Sequence, residues 1–164
     1  MKKLETDILK ILEEDCRYTP AKIALMLEKT EKEVCEAISR MEESGIIVKY
    51  TAIVNGERLS DETVQALIEV KVTPQKTNGF DAIAEEIYRF EEVKSCYLMS
   101  GGFDLAVFIE GKSLREVARF VTERLSTLDE VLSTATHFIL KKYKIEGTVA
   151  DSKDENGMRL SVQP

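Results

Sequence analysis

Leu67 and Val93 stand 26 positions apart, and so do Leu105 and Val131. Each pair brackets the same order of patterns: an apolar run, a helical stripe, a second apolar run. "VQALIEVKVT" (64–73) sets Val64, Ala66, Ile68, Val70 and Val72 at period two, as a strand with one buried face requires. Residues 79–90 place Phe80, Ile83, Ala84 and Ile87 on one side of a helix. "VKSCYLM" (93–99) and "LAVFIE" (105–110) read as strands joined tightly by "SGGFD" (100–104). Ser113-x-x-Glu116 is a capping box. It opens a helix expected to bury Leu114, Val117, Ala118, Val121 and Leu125, and "VLSTATHFILKKY" (131–143) is the fourth strand.

Two β-α-β units in succession predict a ferredoxin-like βαββαβ domain, with both helices on one face of a four-stranded antiparallel sheet. The other face has no helix to cover it. It would present Leu67, Tyr97 or its neighbours, and part of strand four. Burial against a second copy is the expected remedy, which predicts an obligate homodimer. Past Tyr143 the chain is polar and lacks an apolar stripe, so residues 145–164 read as a tail.

The first 50 residues follow a helical period instead. Leu4, Ile8, Ile11 and Leu12 form one stripe. Thr19 and Pro20 open a second helix that turns Ile23, Ala24 and Leu27 inward. Thr30-x-x-Glu33 caps a third, whose inner face is Val34, Ala37, Ile38 and Met41, and Gly45 stops it. The short second and third helices make a helix-turn-helix. "IIVKYTAIVN" (46–55) is rich in β-branched residues, as a wing or connecting strand would be, and "GERLSDET" (56–63) is polar. The chain therefore divides into a helix-turn-helix domain (1–50), a connecting strand and linker (51–63), a ferredoxin-like domain (64–144) and the tail (145–164). The fold class is α+β.

A net charge of −7 opposes unspecific adhesion to nucleic acid, which needs Lys and Arg against phosphates. The longest apolar runs are five residues, far from the ~20 that span a bilayer, and a cytoplasmic protein with no membrane partner is expected. Cys16, Cys35 and Cys96 form no CxxC and face a single histidine, so no metal site and no cofactor are expected. They read as small buried hydrophobes in a reducing compartment. His137 has no nucleophile or carboxylate to pair with by sequence and reads as structural, leaving no catalytic residue.

"RMEESGIIVKYTAIVN" (40–55), "SGGFDLAVFIEG" (100–111) and "VLSTATHFILKKYK" (131–144) resemble the Lrp/AsnC, or feast/famine, regulators, and the resemblance covers residues 1 to about 144. It implies a transcriptional regulator that binds double-stranded DNA, dimerises through its C-terminal domain and assembles four dimers into an octamer. It also implies a small effector, often an amino acid, held between dimers near the Gly-rich turn. Glu28 and Ala37 stand where that family usually has a Gly between the two helices and an Arg on the recognition helix.

The expected DNA contacts are Thr19, Thr30, Lys32, Glu36, Arg40, Lys49 and Tyr50, with Lys32 and its neighbours in the first turn toward base edges and Thr30, Arg40, Lys49 and Tyr50 toward phosphates. Lys32, Glu36 and Arg40 would share its outer face. Residues 1–50 carry nine Lys and Arg against eleven Asp and Glu, which predicts a weak but selective reader working in several copies. At the turn, Gly101 and Gly102 would offer N–H groups to a carboxylate and Asp104 would meet an ammonium. Phe103 would shape a side-chain pocket, and Tyr97, Met99, Ser133, Thr134 and Thr136 would wall it. Two other functions fit the same layout: a sensor or interaction module whose helix-turn-helix does not bind DNA, and an enzyme resembling the tetrapyrrole (sirohaem) decarboxylases.

Overall fold

A computed structural model describes residues 2–59, 63–74 and 79–150. The chain divides into two compact units, Met1–Ile53 and Val54–Pro164. In the first, three helices run over Lys3–Glu14 (α1), Pro20–Leu27 (α2) and Glu31–Glu43 (α3). The caps fall where the sequence puts them. Thr19 Oγ1 accepts from the Lys22 N–H at 3.3 Å. Thr30 Oγ1 accepts from the Glu33 N–H at 3.3 Å, while Glu33 Oε2 takes the Thr30 N–H at 2.9 Å. Ile8, Ile23, Ala24, Val34, Ala37 and Met41 form the core, with Ile38 half-buried beside it. Glu28 ends α2 in the left-handed region, at φ 54°, and the Lys29 N–H closes the turn on Ala24 O at 2.9 Å.

The second unit holds strands Val64–Val72 (β1), Val93–Leu98 (β2), Leu105–Gly111 (β3) and Val131–Phe138 (β4), with helices Asp81–Tyr88 (α4) and Leu114–Glu123 (α5). The antiparallel sheet has the order β2-β3-β1-β4 expected of a ferredoxin-like domain. Ala66, Ile68, Val70 and Val72 of β1 pack with Leu105, Val107 and Ile109 of β3 against Ile83 and Ile87 of α4 and Val117, Phe120 and Val121 of α5. Both helices therefore lie on one face. Register assigns the other face: Leu67 sits beside Phe108 and His137, and Glu69 beside Ala106 and Ala135.

Several expectations need correction. The stretch 46–55 forms no strand, because no strand among the described residues pairs with it. It is held instead by the Ile47 N–H on Met41 O at 3.0 Å and by Cys16 Sγ on Thr51 O at 3.9 Å. β4 ends at Phe138, and the Ile139 N–H makes the last bond toward β1, to Gln65 O at 2.8 Å. The expected tail begins too early: Lys144–Ile145 (β5) and Thr148–Val149 (β6) form a hairpin, and Asn55 Nδ2 donates to Ala150 O at 2.7 Å. The rest of that expected tail, 151–164, lies outside the described residues. On α5, Leu114 and Ala118 are exposed and Phe120 takes the core position, meeting Phe90 edge-on at 5.4 Å. Leu125 is buried but belongs to a 3-10 turn, Leu125–Thr127. Cys35 is exposed, and Cys16 and Cys96 are half-buried.

Candidate nucleic-acid interface and effector site

With Val34, Ala37 and Met41 turned inward, 3.6 residues per turn puts Lys32, Glu36, Ser39 and Glu43 along the opposite line of α3. All four are exposed. Ser39 and Glu43 were not among the expected contacts, although the helical period alone places them there. Arg40 was expected on this line and is not: its Nη2 lies 3.5 Å from Glu5 Oε1 on α1. The residue turns to the flank because 40 falls between the inner and outer stripes. Position 37, where the family's Arg was expected, is fully buried, so no side chain there reaches a ligand.

Much of the acidity that sets this unit at odds with DNA has a local partner. Glu33 caps α3, and its hydrogen bonds to the Thr30 backbone and then side chain hold its carboxyl below the usual range. Glu5 is lowered first by the Lys2 N–H and also by Arg40. Glu42 accepts the Tyr50 hydroxyl at 2.9 Å. Burial, then Glu42, pushes that phenol up to about 12. Glu36 stands 3.9 Å from Lys32 Nζ. Of the expected contacts, Thr30, Lys32 and Glu36 cluster at the start of α3, Thr19 caps α2, and Lys49 is exposed beyond α3's C-terminal end.

At the turn before β3, Asp104 has a structural task. Its Oδ2 accepts the Val72 N–H at 2.9 Å, its own N–H bonds Val70 O at 3.0 Å, and its carbonyl takes the Met99 N–H at 2.8 Å. The register of β1 on β4 shifts between Lys71 and Val72, and the Asp104 carboxylate supplies an acceptor at that irregularity. Gly101 has φ 156°, a region L-residues rarely adopt, and a Cβ at Gly102 would meet nothing within 4 Å. Phe103 is half-buried and Met99 exposed. Tyr97 stacks edge-on against Phe108 at 6.0 Å.

The expected pocket walls do not converge in one chain. Tyr97 is on β2 and Ser133, Thr134 and Thr136 on β4, the two edges of the sheet, three strand spacings or roughly 14 Å apart. Thr134 and Thr136 pair with Val70 and Ile68 and so lie on the helix side, where Thr134 meets Ser126 at 3.5 Å. Ser133, beside Lys71, lies on the helix-free side. His137 Nε2 stands 3.3 Å from Glu69 Oε1 on that same side. A groove of about 660 Å³ lies at the other end of the sheet from the turn, against Val54, Leu59, Gln65, Glu110, Leu140 and Ile145. Among the described residues no three His, Cys, Asp or Glu side chains converge to hold a metal ion, and no helix is long and apolar enough to cross a membrane.

Residues 1–48 match winged helix-turn-helix DNA-binding domains, and residues 65–149 match the Lrp/AsnC ligand binding domain. The HTH-type transcriptional regulator YugG of Bacillus subtilis is 48% identical, over 98% of this chain and 96% of that protein. Among solved structures, the leucine response regulatory protein LrpA of Mycobacterium tuberculosis superposes with a TM-score of 0.76 at 21% identity, covering 89% of this chain and 97% of that one. A transcriptional regulator of Neisseria meningitidis in complex with L-methionine gives 0.69 at 24%, covering 88% and 93%. With the capped helix pair and the βαββαβ sheet, these likenesses establish that the chain belongs to the Lrp/AsnC family of helix-turn-helix transcriptional regulators.

Proposed function

We propose that this regulator works as a homodimer joined through the helix-free faces of its sheets, assembles further to an octamer, and answers to an amino acid. The face carrying Leu67, Phe108 and Tyr97 is the observation that supports the dimer. Leu67 and Phe108 are adjacent across β1 and β3 and only half-buried in a single chain. Removing them from water on both copies is favourable by about 25 cal/mol per Å² of apolar surface. Gln65 Nε2 to Glu110 Oε2 at 2.6 Å and Glu69 to His137 pair the polar groups of the same face, which lowers the cost of covering it.

The effector reading rests on the open backbone of Gly101 and Gly102, with Tyr97, Met99 and Phe103 nearby, and on the L-methionine complex of the Neisseria relative. A second copy would have to supply Ser133, Thr134 or Thr136, because one chain keeps them at the far edge. For DNA, Lys32 and Glu36 address base edges from α3, and Thr19, Thr30, Lys49 and Tyr50 lie toward phosphates, with Arg40 joining only by leaving Glu5. The protein acts by binding and carries out no reaction of its own.

Sedimentation velocity tests the assembly. The parent should run as a dimer or larger at micromolar concentration and Leu67→Glu as a folded monomer. A Leu67→Glu protein that sediments as the parent does would place the interface elsewhere. Melting shifts with each proteinogenic amino acid test the effector, and no shift with any of them would remove it from the reading.

A further inference from the structure

The exposed line of α3 alternates a donor and an acceptor. Lys32 is a donor only, and its side chain is 85% exposed. Glu36, ionised, is an acceptor only, and its side chain is 57% exposed. Their charged ends lie 3.9 Å apart, near enough for both to reach groups that stand side by side on one base pair. Beyond them the line continues through Ser39, a small side chain that lets the backbone approach a groove floor.

In the major groove a carboxylate has few partners. It is repelled by guanine O6 and N7 and by thymine O4, all acceptors; adenine shows its N6 amine only beside the N7 acceptor, whereas the cytosine N4 amine has no acceptor next to it on its own base. An ammonium has the opposite preference and suits guanine O6 and N7. One G·C pair shows both groups side by side. We infer that Glu36 and Lys32 together read a G·C pair in each half-site, Glu36 on the cytosine amine and Lys32 on the guanine acceptors. Glu36 is thus a specificity residue, and its negative charge is part of the code.

The ion pair also positions the reader. Lys32 draws Glu36 toward the helix start, the part that meets base edges in a helix-turn-helix, and shields its charge from phosphates on the approach. Replacing that pair by T·A would set thymine O4 against the carboxylate, with a loss of about 10-fold or more.

This inference rests on α3 being the helix that enters the groove, and the test separates the two. Selection of binding sites from a randomised DNA library is carried out with the full-length parent, Glu36→Gln, Glu36→Ala and Lys32→Ala, alongside dimethyl sulfate protection of guanine N7 on the parent's site. The expected result is a G·C position in the parent motif that both Glu36 variants lose while the other positions stay. One guanine N7 should be protected by the parent and open with Lys32→Ala. Protection that persists with an unchanged motif in both Glu36 variants would overturn the role of Glu36 and leave α3 as the reader. Absence of any N7 protection, with every variant selecting the parent motif, would overturn the placement of α3 as well.

Discussion

Asp104 Oδ2 accepts the backbone N–H of Val72 at 2.9 Å, tying the turn after β2 to the end of β1. From the sequence this carboxylate looked free to meet a ligand's ammonium group, and the structure has already given one of its oxygens to the sheet. Asp104→Ala should therefore destabilise the C-terminal unit by about 1–3 kcal/mol, the cost of a half-buried N–H losing a charged acceptor. Asp104→Asn keeps an acceptor oxygen and should lose less. Thermal unfolding of both variants checks this. Effector-dependent stabilisation should be read in the Asn variant, where the loss of ligand contact is not confounded with loss of the turn.

Glu28 holds φ 54° at the end of α2. A side chain in the left-handed region costs roughly 1–2 kcal/mol, and part of that gain is returned because glycine frees the unfolded chain. Glu28→Gly should accordingly stabilise the N-terminal unit by roughly 0.5–1 kcal/mol. Differential scanning calorimetry should show the N-terminal transition rising by a few degrees. An unchanged or lower midpoint would mean the strain is not there.

Tyr50 gives a pH signature to the same unit. Its phenol is raised from an ordinary value of 10 to about 12, first by burial and then by the Glu42 carboxylate. A group raised on folding contributes stability that is complete below pH 10 and is lost as pH rises through 12. Tyr50 should therefore ionise above its ordinary value in a near-ultraviolet absorbance titration, read as the step that Tyr50→Phe removes. Glu42→Gln should lower that value but leave it above 10, because burial is the larger cause. A Tyr50 step at the ordinary value of 10 would contradict both causes.

The local grammar of the chain was readable in advance. Thr19, Thr30 and Ser113 cap α2, α3 and α5 because a cap needs only a side-chain oxygen and an N–H two or three residues on. The face of β1 was readable for a similar reason, since Ala66, Ile68, Val70 and Val72 alternate within one short stretch. The α5 stripe is less legible. Leu114 and Ala118 fit the period but lie outside the arc that the sheet covers, and Phe120 fills it.

The residue sequence by itself determined the helix caps, the βαββαβ succession of the second domain and the inner line of α3, because each follows from periodicity or from partners a few residues apart. Only the tertiary structure decided that Arg40 answers Glu5, that Asp104 serves Val72, that residues 46–55 form no strand, and that Thr134 takes the helix side of the sheet and Ser133 the helix-free side. Those outcomes depend on which strand or helix arrives alongside and in what register. A shift of one residue in β4 would exchange the two faces of that strand without altering a letter of the sequence.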